Sequence, residues 1–454
     1  MNLLKKSRLG ELIEVTRGAS LSGEYYSTKG EYIRLTCGNF DYHNNCFKEN
    51  TSKDNLFYTG EFREEFLLEK GDIITPLTEQ AIGLLGTTAR IPKSGKYIQS
   101  QDIALVKCKA GKIDPTFCYY LISSRLVRNQ LSAAAQQTKI RHTSPDKIKD
   151  CTVWIPELDD QKAIGRLLAS LDEKIQLNKR INDNLEAMAK QLYDYWFVQF
   201  DFPNEDGKPY KSSGGAMVWN EKLKREIPQG WSDCVLGDYI GRITNGLNPR
   251  KNFVLGSGNN YYVTIRSLVG TTIDWNNCDR CDDEALSKIN SRSQLQIGDI
   301  IFSAIGTIGR TYYILEEPTN WNISETSFTL RAKENVPNDF FYGMLRSNEI
   351  QIKADKAAMG STLRCLVMDS LCSLQYIKIP SYMMKLFAAK VSPLYRQIHR
   401  NNKEIAELTK QRDELLPLLM NGQATVNYHL STQKCLKDST NSASISPILS
   451  QNSA

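Results

Sequence analysis

The side chains of this sequence that could perform catalysis are few and scattered. Its histidines number four and do not stand at metal-ligand spacing from one another. They are His43, His142, His399 and His429. Cys278 and Cys281 form a lone Cys-x-x-Cys, and because a structural zinc site needs four ligands, free thiols in a loop are favoured. These residues therefore predict no metal site.

Phosphate and methyl-transfer chemistry have no better support. Gly83-x-x-Gly86 and Gly306-x-x-Gly309 could cradle phosphates, but no lysine follows at the spacing of a phosphate loop, which favours tight turns between strands. The sequence lacks a Gly-x-Ser-x-Gly elbow, the Asn/Asp-Pro-Pro-aromatic tetrapeptide of DNA methyltransferases and a convincing nuclease core. We therefore expect a chain without a catalytic site of its own.

The sequence is an ordered internal repeat. Its second half repeats the anchors of the first at near-constant spacing, which coincidental glycine matches would not give. The paired anchors are Leu9-Gly10-Glu11 with Leu236-Gly237-Asp238, Gly18 with Gly246, Tyr32-Ile33-Arg34-Leu35 with Tyr262-Val263-Thr264-Ile265, Gly71-Asp72-Ile73-Ile74 with Gly298-Asp299-Ile300-Ile301, Phe117 with Phe340, Ile140-Arg141 with Leu363-Arg364, and Ile155-Pro156 with Ile379-Pro380.

Each copy has the same internal plan. Short β-type runs such as 72–75 and 103–106 are separated by Gly, Asn, Ser and Pro. A short helical stretch follows, near 117–129 in the first copy and 340–352 in the second. A last strand ends at an Ile-Pro pair, and a long helical pattern begins after it. The pattern predicts a β-rich domain joined to a long helix, twice.

The two long helices carry apolar residues at steps of three and four, as in a coiled-coil seam. In the first helix these residues are Ile164, Leu168, Leu171, Ile175, Ile181, Leu185, Met188 and Leu192. In the second they are Val391, Tyr395, Ile398, Ile405, Leu408, Leu415 and Leu419. A helix of roughly 35 residues spans about 50 Å, too long for the core of one small domain. We therefore expect the two helices to pair with each other.

One polar residue interrupts each seam, Asn178 in the first helix and Asn402 in the second. A buried asparagine pair fixes the register of a coiled coil. Two surface asparagines inherited from the duplication remain the alternative. Replacing both by Leu and measuring stability and oligomeric state distinguishes these interpretations.

Composition leaves the function open. The chain has 454 residues, 41% of them hydrophobic, 11 cysteines without regular spacing and a formal net charge of +6. A mild positive charge is compatible with nucleic acid but does not prove it. The scattered cysteines, the polar N-terminal residues and the lack of a long apolar stretch indicate a cytoplasmic protein without a membrane segment.

A chain with two similar domains, two long helices and no catalytic site is typical of a recognition subunit that positions other subunits. If the helices pair antiparallel, the domains are related by an approximate two-fold axis, which suits two DNA half-sites on one face. Because the domains differ in sequence, the half-sites should differ, and the helices would set the spacer between them.

The chain resembles the specificity subunit of type I restriction–modification systems. The resemblance is carried by the paired anchors at 9–11 and 236–238, 71–74 and 298–301, and the Ile-Pro-helix junctions at 155–161 and 379–385. Asp160-Gln161-Lys162-Ala163-Ile164, Asn178-Lys179-Arg180-Ile181-Asn182 and the run from Leu415 to Gln423 also look typical of its helical regions. The second junction lacks the Glu and Gln that follow Pro156.

The resemblance implies an α+β fold with two target recognition domains alternating with two helices paired as an antiparallel coiled coil. The expected boundaries are 1–157 and 231–381 for the recognition domains, 158–200 and 382–425 for the helical regions, 201–230 for a linker and 426–454 for a disordered tail. It also implies a non-catalytic subunit that reads a bipartite, asymmetric DNA site. Two modification subunits and motor-nuclease subunits would join it, and would bind the methyl donor, ATP and Mg²⁺.

Candidate DNA contacts are polar or basic residues on predicted loops, because such side chains contact base edges and phosphates. They are Arg34, Gln80, Gln99, Gln101, Lys139, Arg141, His142, Arg266, Ser303, Arg310, Ser324 and Arg364. Arg141 and Arg364 occupy matching positions of the repeat, and replacing either by Ala is predicted to weaken DNA binding. A surface role is the alternative for each candidate.

Two other functions remain open. One is the specificity subunit of a related system in which one polypeptide both cuts and methylates. The other is a free-standing regulator, which predicts specific DNA binding by the chain alone, whereas the restriction subunit predicts that strong binding needs the modification subunits.

Overall fold

A computed structural model describes residues 4–42, 44–79, 83–134, 141–250 and 252–426. The chain divides into two compact units. Unit 1 comprises residues 1–175 and 406–454, and unit 2 comprises residues 176–405. Unit 1 is therefore built from both ends of the chain, and unit 2 from its middle.

Unit 1 holds fourteen strands among its described residues. They are β1 (Lys5–Arg8), β2 (Ile13–Arg17), β3 (Tyr26–Ser27), β4 (Tyr32–Arg34), β5 (Phe40–Asp41), β6 (Cys46–Phe47), β7 (Phe57–Tyr58), β8 (Ile73–Pro76), β9 (Thr78–Glu79), β10 (Ala89–Arg90), β11 (Tyr97–Ile98), β12 (Ile103–Cys108), β13 (Arg141–His142) and β14 (Thr152–Ile155). Two four-stranded sheets run in the orders β10-β8-β12-β2 and β11-β4-β7-β3. The pairs β1–β14, β9–β13 and β5–β6 complete the domain.

Unit 2 holds the strands β15 (Met217–Asn220), β16 (Arg225–Pro228), β17 (Ser232–Val235), β18 (Ile240–Asn245), β19 (Asn260–Val263), β20 (Leu268–Val269), β21 (Thr272–Ile273), β22 (Asp279–Cys281), β23 (Ile300–Ser303), β24 (Thr311–Tyr313), β25 (Trp321–Ile323), β26 (Ser327–Ala332) and β27 (Gln375–Lys378). Its four-stranded sheet runs β18-β26-β23-β24, and a three-stranded sheet runs β22-β19-β25. The pairs β17–β27, β20–β21 and β15–β16 lie outside these sheets.

The duplication predicted from the sequence is present in the topology of the two units. The first strand of each unit pairs antiparallel with its last, β1 with β14 and β17 with β27. Each unit also holds one parallel pair, β4 with β11 and β19 with β25. Gly18 and Gly246 follow equivalent strands, and a Cβ on either would lie within 2.5 Å of backbone atoms at the end of that parallel pair, those of Gln99 and Ile323. The glycine is therefore needed at both positions for close packing.

Ten α-helices lie among the described residues: α1 (Leu9–Leu12), α2 (Pro115–Ser123), α3 (Arg125–Ala134), α4 (Pro145–Lys149), α5 (Leu158–Tyr193), α6 (Asp283–Ser293), α7 (Asn338–Leu345), α8 (Asn348–Ala357), α9 (Met368–Cys372) and α10 (Ser381–Met420). The helical stretch predicted in each copy is a pair of short helices, α2–α3 and α7–α8. Asp114 caps α2 by accepting from the backbone N–H groups of Thr116 and Phe117, and Pro115 occupies its first turn.

The long helices α5 and α10 have the lengths expected from the sequence, 36 and 40 residues. The two begin differently. Gln161 is buried at the start of α5, donates to the carbonyl of Pro156 and accepts from the backbone N–H of Asp114, both at 2.9 Å. Near the start of α10 lie the buried Met383 and Met384 instead. The start of α10, which has no Gln after Pro380, is therefore packed through apolar side chains, whereas the start of α5 is held by the polar contacts of Gln161.

Residues 201–230, expected to form a linker, are a folded part of unit 2. Phe202 stacks on Tyr210 and on Trp231, with ring centroids 4.8 and 5.0 Å apart. The strands β15 and β16 form an antiparallel hairpin in the same segment. The segment is rich in turn-forming residues, which favoured a linker, but its aromatic residues pack in the core of unit 2.

Residues 427–454, for which disorder was expected, lie outside the described residues. Within the part of the chain that the structure describes, no helix is long and apolar enough to cross a membrane.

Candidate nucleic-acid interface

The helices pair antiparallel within each unit, as expected. In unit 1 the first half of α5 lies beside the last turns of α10, and Ile164 and Leu168 share one core cluster with Leu419 and Met420. In unit 2 the second half of α5 lies beside the first part of α10, with Tyr193 packed edge-on against Phe387 at 5.6 Å. Each β-rich domain is therefore fixed to parts of both helices.

A charged network joins the helices in unit 1. The Arg412 guanidinium donates to Asp172 at 2.9 Å, and the Tyr120 hydroxyl of α2 donates to the same carboxylate at 2.7 Å. Burial alone would lower the pKa of Arg412, but hydrogen bonding and the charge of Asp172 raise it above its ordinary value. Burial and the Asp172 charge also raise the pKa of Tyr120. The network therefore stays ionised at Arg412 and neutral at Tyr120 near pH 7.

An asparagine cluster joins the helices in unit 2. Asn182 donates to Asn402 and accepts from Asn401, each at 2.8 Å. Asn178 is buried and donates to Glu404 at 2.8 Å. The two predicted register residues therefore take part in polar contacts between the helices, but they do not bond to each other. Their partners are Glu404 and Asn182, which the sequence pattern did not single out.

The seam of α5 runs differently from the prediction in its second half. Ile181 and Met188, assigned to the seam, are 36% and 54% exposed. The buried positions there are Asn178, Asn182, Ala189 and Tyr193. Leu185 and Leu192, also assigned to the seam, are partly buried against the core of unit 2. The prediction was therefore wrong for Ile181 and Met188, because the seam also contains a polar, a small and an aromatic residue that aliphatic periodicity does not indicate.

The two Gly-x-x-Gly segments are tight turns, as predicted. Gly83 and Gly86 have φ of 98° and 82°, and Gly306 and Gly309 have 83° and 87°. Positive φ favours glycine, which explains why both copies carry it. In unit 1 the Glu79 carboxylate accepts from the backbone N–H groups of Gly83 and Leu84, so this turn already holds an anion of its own chain.

A side chain from the second short helix supports each turn. In unit 1 Arg128 of α3 donates to the carbonyl of Gly83 at 3.3 Å and to Asn45 at 3.2 Å. In unit 2 Gln351 of α8 donates to the carbonyl of Gly309 at 3.0 Å. Burial lowers the pKa of Arg128. Neither Arg128 nor Gln351 was among the residues predicted from the sequence, although their matching positions in the repeat were a usable signal.

Four of the candidate DNA-contacting side chains are buried and form contacts within the protein. Arg34 lies 3.7 Å over the ring of Tyr26 and donates to the carbonyl of Asn55. The Gln99 amide donates to the carbonyls of Thr16 and Ile103.

Ser303 and Ser324, the other two, are at most 2% exposed. Ser303 donates to the carbonyl of Thr307 within its turn, and the Ser324 hydroxyl lies 2.6 Å from that of Thr326. In this structure all four side chains hold the fold together and do not present a polar group to a ligand.

The remaining described candidates lie nearer the surface. Gln101 and His142 are exposed. Arg266 is 70% exposed and lies 3.7 Å from Asp279. Arg310 is exposed, and its guanidinium donates to the carbonyls of Ile265 and Leu268 at 3.0 Å. These side chains are available for a ligand.

The arginines matched by the repeat differ in their contacts. Arg141 is partly exposed and donates to Ser132 at 3.1 Å. Arg364 pairs with Asp355 at 2.9 Å and donates to the carbonyls of Asp355 and Ala358. The charge of Arg364 is thus balanced by a carboxylate, which suits it to hold backbone in place. Gln80 and Lys139 lie outside the described residues.

Comparison with known proteins agrees with the predicted family. Residues 1–187 match the family described as type I restriction modification DNA specificity domain. The MjaIX specificity subunit of a type I restriction enzyme from Methanocaldococcus jannaschii is 26% identical over 317 residues, covering 68% of this chain and 69% of that protein. The HindI specificity subunit from Haemophilus influenzae is 21% identical over 378 residues, covering 72% and 81%.

A solved structure has the same fold. The type I restriction–modification S subunit from M. genitalium matches with a TM-score of 0.56 and 16% identity, covering 92% of this chain and 96% of that one. At this identity the likeness concerns the fold alone. It confirms the predicted α+β architecture of β-rich domains alternating with long helices.

Proposed function

We infer that this chain is a specificity subunit of the type I restriction–modification family, and that it supplies DNA sequence specificity to a larger complex. The observation that carries the inference is the duplicated unit itself. Each copy joins a β-rich domain to both long helices, in the order of anchors that resembles this family. The proposal needs no catalytic group on this chain.

Each unit reads one half of a bipartite site, and the halves differ. The Gly-x-x-Gly turns have the same backbone in both units, but Arg128 supports one and Gln351 the other. A shared scaffold with different side chains is what two related domains need to recognise different bases. The site is therefore asymmetric.

The outer faces of the helices bind modification subunits. Leu177, Ile181 and Met188 are between 36% and 54% exposed on α5 within unit 2. They recur at steps of four and seven, so they form an apolar stripe along the helix. Such a stripe fits a helix of a protein partner. The modification subunits transfer methyl to adenine, motor-nuclease subunits join them, and these partners bind the methyl donor, ATP and Mg²⁺.

Co-expression with a type I modification subunit from the same organism tests the proposal. We expect the two to co-purify and to methylate adenines within one split, asymmetric sequence, mapped by sequencing of the methylated DNA. The chain alone should bind that sequence much more weakly than the assembled complex does. Tight, specific binding by the chain alone, with no methylation from the complex, would indicate a free-standing regulator instead.

A further inference from the structure

A short hairpin in unit 2 combines a fixed backbone with an exposed apolar tip. Met359 and Cys365 form an antiparallel bridge with two backbone hydrogen bonds, of 2.9 and 2.8 Å. Gly360 takes a φ of 99° at the turn, where a Cβ would lie 2.4 Å from the carbonyl oxygen of Leu363. The chain can therefore turn this tightly only with glycine at position 360.

The base of this hairpin is tied to the Gly306 turn. Ile305 forms a bridge with Cys365, and the N–H of Gly306 donates to the carbonyl of Arg364 at 2.8 Å. The Arg364 guanidinium pairs with Asp355 and donates to the carbonyl of Ala358. The bridge to Ile305, the hydrogen bond from Gly306 and the contacts of Arg364 fix the base of the hairpin. Ordering its tip on a ligand therefore costs little conformational entropy.

The tip presents hydroxyl and apolar groups to the surface. Ser361 and Thr362 are exposed, and Met359 and Leu363 are 62% and 64% exposed. A single exposed leucine is ordinary on a protein surface. Two large aliphatic side chains on one rigid hairpin, beside two hydroxyl groups, form a surface that can contact both apolar and polar groups of one ligand.

The charged residues around the hairpin indicate the class of ligand. Residues 300–315 and 355–368, which build the turn and the hairpin, contain one acid, Asp355, which pairs with Arg364, and the further basic residues Arg310 and Lys356. In the first copy of the repeat, residues 79–101 and 115–145 likewise contain one acid, Glu79, and carry seven Lys or Arg residues. The same property in both copies fits a polyanion better than a protein surface of mixed charge.

We propose that the tip of this hairpin, residues 361–363, enters a groove of the DNA half-site read by unit 2, with Leu363 packing against base edges. Leu363 contacts apolar groups such as the thymine methyl, while the hydroxyls of Ser361 and Thr362 bond to the sugar-phosphate backbone. Arg364 is a positioning residue that holds the tip through Asp355. This assignment rests on the proposed function and adds to it the residues that read one half of the site.

The test uses the complex of this chain with its modification subunit, and the DNA site found by methylation mapping. Leu363→Ala is expected to weaken binding to that site about tenfold, the effect of losing one base-pair contact. Its mapped sequence should relax in one half only. Binding to unrelated DNA and co-purification of the modification subunit should not change. Ile297→Ala, at 55% exposure in the same unit, is the matched control and should bind like the parent.

The positioning role of Arg364 has its own readout. Arg364→Ala should speed hydrogen exchange of the hairpin amides and weaken site-specific binding. Adding Leu363→Ala to this variant should cause little further loss, because the tip is already out of place. Fully additive losses would overturn the positioning role.

Two results would overturn the proposal as a whole. One is a Leu363→Ala complex that assembles, binds and methylates its site like the parent. The other is unchanged DNA binding with loss of the modification subunit, which would make the tip a protein contact. If the parent complex methylates no defined sequence, the proposed function fails, and the hairpin assignment fails with it.

Discussion

Replacing Arg412 tests whether the charged network of unit 1 holds the helix pair together. The Arg412 side chain is 8% exposed and Asp172 is 25% exposed. Removing one partner of a fully buried ion pair costs about 3–5 kcal/mol, because the other charge stays buried. Water reaches Asp172 and screens part of that penalty. We therefore expect Arg412→Ala to destabilise unit 1 by about 2–3 kcal/mol.

Hydrogen exchange measured by mass spectrometry is the suitable assay, because the chain has two units and a single unfolding transition is not assured. A loss of about 2–3 kcal/mol speeds exchange of the protected amides roughly 30- to 150-fold. The effect should appear in α2, in the first half of α5 and in the end of α10. Amides of β23 and β26, in unit 2, serve as the internal control.

The double variant Asp172→Asn with Arg412→Met separates the charge from the packing. It removes both charges while keeping similar volumes, and such replacements of buried pairs are often nearly neutral. We expect it to exchange more slowly than Arg412→Ala alone. If Arg412→Ala leaves the unit 1 amides unchanged, the reasoning is refuted, and the network is incidental to stability.

Three further outcomes follow from the helices. Asn182→Ala should destabilise unit 2 by about 1–3 kcal/mol, since the Asn401 amide N–H and the Asn402 amide oxygen each lose the partner that Asn182 provides. Asp183→Ala on the exposed face should leave hydrogen exchange unchanged. Ile181→Ala combined with Met188→Ala should reduce co-purification of the modification subunit without changing thermal stability, with Asp183→Ala again as control; retained co-purification would contradict the partner surface. Lys403 and His399 hold the pKa of Glu316 below its usual value. The stabilisation that the Glu316 carboxylate gives is therefore present above about pH 4.5 and is lost as the pH falls through the lowered pKa. Glu316→Gln should reduce the difference in the stability of unit 2 between pH 7 and pH 3.5, and an unchanged difference would show that this carboxylate contributes nothing.

The repeat made much of the architecture predictable from the sequence. Glycines with positive φ, such as Gly83 and Gly306, fall at the same place in both copies because the backbone there admits no other residue easily. Strand runs and the long helices follow from periodicity, which depends only on which face is buried. The fold class could accordingly be predicted from the sequence.

The individual contacts were not predictable, since composition does not specify which polar side chains are buried. Gln99 and Arg310 are both polar residues near loops, yet one is 1% exposed and the other lies at the surface. Gln99 is buried because two carbonyls need its amide. Arg364 pairs with Asp355, nine residues away, a contact that its place in the sequence did not indicate. Such partners are set by tertiary packing, which a single sequence does not encode locally.

The discontinuity of unit 1 has a consequence for biosynthesis. Its core includes Ile164 and Leu168 from the first part of the chain, and Leu419 and Met420 from near the end of α10. All of unit 2 emerges from the ribosome between these segments, which at usual elongation rates takes roughly 10–50 s. During that time the first-made domain carries an uncovered apolar helix face. The middle of the nascent chain can thus finish folding before its beginning does, and premature termination within α10 but beyond residue 405 would leave a complete unit 2 attached to an unfinished unit 1.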